Sequence, residues 1–245
     1  MDWSKAKTIL IISFTFLNIL LGYQLWMTWN EQSRANVVSS QTVEELHQLL
    51  AAERIKLEDT LPTDLQKMGY LQAEVIRQDE AWHALKPSVD ISPVMDGKDS
   101  VTEELKSQID HLSKYKLDEA ALKDGEWIYY QLVADFPVFV SPIELKREGN
   151  QLTAYRQIEV EITAREKTNI VVSPHAALKS AVETQLIPPG STIKEVRLGY
   201  TGQLNAEEPQ FLVPVWRIET SGKDLLYVNA LTGGIESDNW PIEQE

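Results

Sequence analysis

The chain has 245 residues, no cysteine and a formal net charge of −14. The missing cysteine excludes disulfides, thiolate nucleophiles and thiolate metal centres. The acidity argues against nucleic acid as a partner, because phosphates are repelled, and against lying flat on an anionic membrane surface. Hydrophobic residues make up 43% and charged residues 24%, a globular balance with room for one or two domains and a real core.

In chain order, Thr8 to Asn30 comes first, and it contains no charged residue. A run of that length is predicted to cross the roughly 30 Å hydrocarbon layer as one helix. Lys5 and Lys7 precede it, and Glu31 and Arg34 follow. The positive-inside rule then puts residues 1–7 in the cytoplasm as a short tip and the bulk of the chain outside. Trp3 at the inner end, with Tyr23, Trp26 and Trp29 at the outer end, suits the two lipid interfaces. A cleaved signal peptide is the competing reading, and Ser33-Arg34-Ala35 has the small residues for a cleavage site. The apolar core exceeds the ~7–15 residues of such a leader, so a retained anchor in membrane lipid is expected. On that helix Thr15, Asn18 and Gly22 stand at i, i+3 and i+7, with Ile11 and Trp29 extending the stripe. Small and hydrogen-bonding residues on one side are what membrane helices use to associate, so these three are the candidate partner-contact residues. The bland alternative is that threonine and glycine are ordinary in membrane spans.

Residues 31–41 read as a polar stalk. Thr42-Val43-Glu44-Glu45 is a capping-box pattern, predicting a helix to about Glu53 with Val43, Leu46, Leu49 and Leu50 on one face. Ile55–Leu57 and Tyr70–Arg77 alternate as strands do. Lys86 to Ser100, with Pro87, Pro93, Gly97 and several aspartates, is predicted to be a loop. Ser100-Val101-Thr102-Glu103 is a second capping-box pattern, opening a helix to about Ser113. The first extracytoplasmic module is expected to span 42–123 and a second 124–245, with the boundary between about 115 and 140.

In the second region Trp127–Val133 and Phe136–Val140 are strand-like, Pro137 marking an edge. Ile143–Arg147 and Leu152–Ile162 flank the hairpin signal Gly149-Asn150. Glu159 and Glu161 are expected on the solvent face of that second arm. Ser173-Pro174 reads as an N-cap and first helical residue, followed by an apolar stripe of Leu178, Ala181, Val182 and Leu186. Ile193–Tyr200, Phe211–Glu219 and Leu225–Ala230 are the closing strands, the last two a hairpin around Ser221-Gly222. Short strands with few helices define an α+β fold: a membrane helix followed by two small modules of antiparallel sheet with packed helix.

No Gly-x-Ser-x-Gly elbow, His-Glu-x-x-His motif, phosphate-binding glycine loop or EF-hand loop is present in the sequence. His47, His83, His111 and His175 are isolated in sequence, so surface or capping roles are expected rather than metal ligation. Asp90, Asp96 and Asp99 read as a solvated acidic loop rather than a calcium site. No catalytic residue, metal or cofactor is assigned.

The opening Met1-Asp2-Trp3-Ser4-Lys5-Ala6-Lys7-Thr8-Ile9-Leu10 before one apolar span resembles the start of YycI (WalI) family proteins. The end, Pro214-Val215-Trp216-Arg217-Ile218-Glu219 through Tyr227-Val228-Asn229-Ala230-Leu231-Thr232-Gly233, resembles the closing hairpin of YycI and of its relative YycH. More loosely it is similar to PepSY domains, which usually carry aspartate where this chain has Asn229. The YycI resemblance implies a Gram-positive membrane protein that is not an enzyme. It implies a regulator acting with a YycH-like protein on a sensor histidine kinase of the WalK (YycG) type that controls cell-wall metabolism, with either sign of regulation open. Two rivals remain at this point: an extracytoplasmic ligand-sensing or protease-inhibitory module, and a membrane-tethered hydrolase.

Overall fold

A computed structural model describes residues 7, 11–24, 40–58, 60–62, 66–91, 98–204, 209–222 and 225–236. Residues 11–24 are helical, α1. There follow α2 (Ser40–Ala52), β1 (Lys56–Leu57), β2 (Lys67–Met68), β3 (Leu71–Gln78), β4 (His83–Asp90) and α3 (Lys98–Lys106). A 3-10 turn (Leu112–Lys114) leads to β5 (Tyr115–Leu117), α4 (Glu119–Lys123), β6 (Trp127–Val133), β7 (Phe136–Glu148) and β8 (Gln151–Arg165). The chain closes with β9 (Asn169–Ile170), α5 (Pro174–Glu183), β10 (Thr192–Thr201), β11 (Gln210–Thr220), β12 (Leu225–Asn229) and β13 (Ile235–Glu236).

The fold is α+β, built on an 11-stranded sheet in the order β1-β10-β11-β3-β8-β7-β6-β5. β4 is added on β8, and β12 and β13 are added beyond β11. Nearly all pairings are antiparallel; β1 runs parallel to β10, and β10 touches β7 in parallel at Tyr200 and Val138. The sheet holds together because its long strands change partners along their length. β8 pairs with β4 near Leu152 and with β3 from Ile158 onward. β11 pairs with β3 at Gln210–Leu212 and with β12 from Val215.

Two hydrophobic cores result. In the first, α2 and α5 bring Leu46, Leu50, Leu178 and Ala181 together with Leu71, Trp216, Ile218 and Val228. In the second, Val101, Leu105 and Ile109 pack with Leu85, Tyr129, Ile143, Leu145 and Leu152. β7 and β8 run through both, with Val138 and Val160 in the first and Ile143 and Leu152 in the second.

Several expectations need correction. The expected loop at Lys86–Ser100 is instead β4 up to Asp90 and α3 from Lys98, with 92–97 outside the described residues. Pro87 hid the strand; it sits where the β4–β8 register jumps between Ala84 and Val89, so no ladder bond needs its missing N–H. Both helices given capping boxes start two residues earlier, leaving Thr42 and Ser100 inside them. Phe136–Val140 and Ile143–Arg147 are one strand, β7. The polar break between them is satisfied internally: buried Ser141 Oγ lies 2.6 Å from Gln131 Oε1 and 2.8 Å from the Ile158 carbonyl oxygen. The stripe on α5 ends at Val182, because the helix stops at Glu183 and Gln185 takes a left-handed φ of 58°. Leu186 is exposed, and Ile187 is buried in its place.

The described part of the expected membrane span is α1. Among the described residues no helix is long and apolar enough to cross a membrane. At 1.5 Å per residue, residues 11–24 cover about 21 Å, short of the roughly 30 Å needed. Residues 8–10 and 25–30, including Trp26 and Trp29, lie outside the described residues.

Candidate functional site

The partner-contact residues proposed from sequence lie on α1, where Thr15, Asn18 and Gly22 share one side by their spacing and are all exposed. Thr15 Oγ1 donates to the Ile11 carbonyl oxygen at 2.8 Å, so its hydroxyl is satisfied within its own helix. A Cβ placed on Gly22 would meet nothing within 4 Å, leaving that side open for a neighbour to approach closely.

The closing hairpin that resembles YycI takes part in a cluster of buried charges. β11 is apolar on both faces, and alternation sends Trp216 and Ile218 into the first core and Val215 and Arg217 to the other side. Trp216 Nε1 donates to the Val172 carbonyl oxygen at 2.9 Å, tying β11 to the residue before the α5 cap. Arg217 is buried against two rings, its guanidinium carbon 4.6 Å from the Phe139 centroid and 5.4 Å from that of Tyr130. Its Nη2 donates to Asp118 at 2.9 Å and to Glu195 at 2.6 Å, and its Nε has no hydrogen-bond partner among the described residues. Arg197 adds a 3.2 Å bond to Asp118.

Asp118 is placed by its own local chemistry. It is the N-cap of α4, accepting from the Ala120 N–H at 3.0 Å. Burial alone would raise its pKa, but Arg217, Arg197 and that N–H outweigh burial and hold it below the ordinary value. Burial likewise opposes the charge of Arg217, and Tyr130, Asp118 and Glu195 overcome it. Glu219 goes the other way: burial raises it, and Glu195, directly across the strand pair, adds to the rise against the pull of Arg217. Gly199 on β10 is needed beneath this cluster, since a Cβ there would lie 2.6 Å from both the Phe139 ring and the Pro137 carbonyl.

Asn229 closes the hairpin. Its Oδ1 accepts from the Leu231 and Thr232 N–H groups at 2.9 and 3.1 Å, while Nδ2 donates to Glu236 at 2.8 Å. An aspartate offers only the accepting half of that arrangement, and the amide adds a strap to β13.

A second ionic centre corrects two expectations from sequence. Glu159 is buried rather than solvent-facing, and it accepts from Lys114 at 2.6 Å and lies 2.9 Å from His111 Nδ1. Burial would raise its pKa, yet Lys114 and His111 bring it below the usual glutamate value. His175, expected in a surface or capping role, is buried behind its N-cap Ser173, with Nδ1 unpartnered among the described residues. His47 and His83 are exposed. Asp90 closes β4 and Asp99 lies in α3, while Asp96 is outside the described residues. A hollow of about 350 Å3 opens between Ile76, Leu132, Val160, Ile162, Lys114 and Arg165, with Glu161 also on its wall. Among the described residues no group of three or more histidines and carboxylates is placed to hold a metal.

Sequence reasoning missed Asp118, Glu195, Arg197 and Arg217 as a unit. One signal was present: a single charged residue, Arg217, at an alternating position inside the apolar run Phe211–Ile218. The buried charges here tie α4, β10 and β11 to one another, and the closing motif is spent on architecture. The fold and these centres define a class: an α+β domain whose closing hairpin is locked by internal ion pairs.

Residues 83–231, more than half of the chain, match the family model described as YycI protein, and the chain belongs to the YycI family. That family implies a membrane-associated regulator of the YycG/WalK two-component system. No curated protein matches the chain. The crystal structure of an uncharacterized protein from Eubacterium rectale is similar at 13% identity over 46% of this chain, with a TM-score of 0.37. The chain covers 42% of that protein's length, and the likeness is too slight to carry an argument.

Proposed function

We propose that this protein is a membrane-anchored, non-enzymatic regulator of a WalK-type sensor histidine kinase, acting together with a YycH-like protein. The family match carries this reading. Thr8–Asn30 serves as the anchor, with the N-terminus in the cytoplasm and the domain outside, as the uncharged run and Lys5 and Lys7 suggest. Thr15, Asn18 and Gly22 form the lateral face that meets a kinase helix. The mechanism is a population bias: contacts that differ between two kinase conformations favour one of them. Support also comes from the charged groups themselves, since Arg217, Asp118, Glu159 and Lys114 are engaged in internal pairs.

The test is crosslinking in the native membrane, followed by identification of the crosslinked membrane proteins. Recovery of a sensor kinase and a YycH-like protein is expected, reduced by Gly22→Leu. Recovery of neither would overturn the reading.

A further inference from the structure

We propose that the α2–α5 contact is a proton-sensitive latch that releases α2 from the domain as the pH falls below about 6.5. α2 is the first described element of the extracytoplasmic part, so the latch decides how firmly the domain is held to the segment that leads from the anchor. The proposal rests on the membrane-anchored reading only for its consequence, not for the latch itself.

The contact has an apolar and a polar part. Leu46 and Leu50 of α2 share the first core with Ala177, Leu178 and Ala181 of α5. Beside them Lys179 donates to Glu45 at 2.6 Å. His175 stands one turn N-terminal of Lys179 and so lies on the same side of α5, the side turned to α2. It is 8% exposed, and its Nδ1 has no hydrogen-bond partner among the described residues. Three features disfavour a proton on that ring. Burial is the largest; His47 of α2 is a like charge once protonated. The third is position, the second residue of a ten-residue helix, where the helix dipole presents its positive end.

The groups facing His175 are few. His47 of α2 acts on it directly, while the other charged groups of the helix contact, Glu45 and Glu183, both pair with Lys179. β10, β11 and β12 send Leu198, Trp216, Ile218, Leu226 and Val228 into this core, none of them titratable. Among the described residues no carboxylate acts on the His175 pKa.

The sign follows from linkage. The pKa of His175 is lowered in this docked form by burial and by His47, and in the proposed undocked form, with His47 gone and the ring wetted, it returns toward the ordinary value. Docking is therefore complete above about pH 6.5, the unperturbed histidine value. It weakens as the pH falls through the window between that value and the lowered one, because only the undocked form takes up the proton.

Because the chain has no cysteine, spin labels can be placed uniquely. Ala51→Cys on α2 and Ser221→Cys on the β11–β12 turn are both exposed positions. In the full chain in lipid nanodiscs, one short distance is expected at pH 7.5. A longer population should grow below pH 6.5, by at most about tenfold per pH unit, the limit for one proton. His175→Phe should abolish the growth. His47→Gln, at an exposed position that does not threaten the fold, should reduce it, because the docked ring then loses a like charge. A single distance in the native sequence down to pH 5.0 would sink the proposal. So would a longer population that survives unchanged in His47→Gln, or one that appears only together with loss of the sheet's circular dichroism.

Discussion

The two cores differ in where their residues come from. The second draws on one stretch of chain, from Leu85 to Tyr155. The first gathers residues from Leu46 to Ala230, across most of the domain. Long-range contacts of this kind must be assembled after their loops close, and the closing costs entropy. The first core is accordingly the one stitched by distant ion pairs: Glu45 to Lys179 at its helical face, and Asp118 to Arg217 on the far side of its sheet. Beside the second, Glu159 pairs with Lys114 and His111 next to the 3-10 turn, and Arg156 pairs with Glu144 across β7 and β8, all between residues 111 and 159. A core made from neighbours closes itself, while one made from distant segments relies on specific polar ties to fix which segments meet.

The largest effect should come from breaking the distant tie. Asp118→Ala leaves Arg217 buried with Glu195 alone and removes the α4 cap. A loss of about 3–5 kcal/mol is expected, the range for an orphaned buried charge, read from urea unfolding. A loss below about 1 kcal/mol would mean that Glu195 suffices. Next come the cores themselves. Leu178→Ala in the first and Leu105→Ala in the second should each cost about 2–5 kcal/mol. Because β7 and β8 run through both cores, each change should shift one common unfolding transition. The double variant should be additive within about 0.5 kcal/mol. Two separated transitions would show that the cores melt independently.

Acid should separate two glutamates, one beside each ionic centre, by sign. Glu159 has a lowered pKa, so its contribution is present above the ordinary glutamate value and lost as the pH falls through the lowered one. Glu219 has a raised pKa, so its charge weakens the fold as the pH rises through that raised value. Glu159→Gln should therefore destabilise at pH 7 and converge with the native protein in strong acid. Glu219→Gln should stabilise at pH 7 and do little below pH 4. Thermal melts of both variants across pH 3–8 provide the readout; curves of the same sign would remove the distinction.

These contrasts also mark what the sequence made legible. The stripe on α2, that on α5 as far as Val182, the Ser173 cap and the strands β6, β8, β10 and β11 were readable, because period and capping are local. β4 was not, since Pro87 speaks against a strand unless a register jump spares its missing donor. Nor was the packing of α2 on α5, which joins residues 134 positions apart. The Asp118–Arg217 pair spans 99 positions, and neither residue announces the other. Glu159 looked solvent-facing because alternation reports which residues share a strand face, not whether a turn such as Leu112–Lys114 covers that face.

The smallest effects belong to the proposed anchor. An interhelical hydrogen bond is worth about 0.6 kcal/mol on average, so Asn18→Leu should weaken regulation by only a few-fold. Gly22→Leu should do more by forcing helices apart, and Leu20→Ile should do nothing. Partner crosslinking and reporter output, with insertion confirmed, provide the comparison. Equal effects at all three positions would reduce the helix to a tether.

The central claim is regulation by contact. Its most direct test is the autophosphorylation rate of the co-reconstituted sensor kinase in lipid vesicles, with and without this protein. The full chain should change that rate, in either direction, and saturably with its surface density. Residues 36–245 added from solution should do so only at much higher concentration, since they lack the helix. A kinase rate unaltered by the full chain at every density, with both proteins inserted and correctly oriented, would contradict the account.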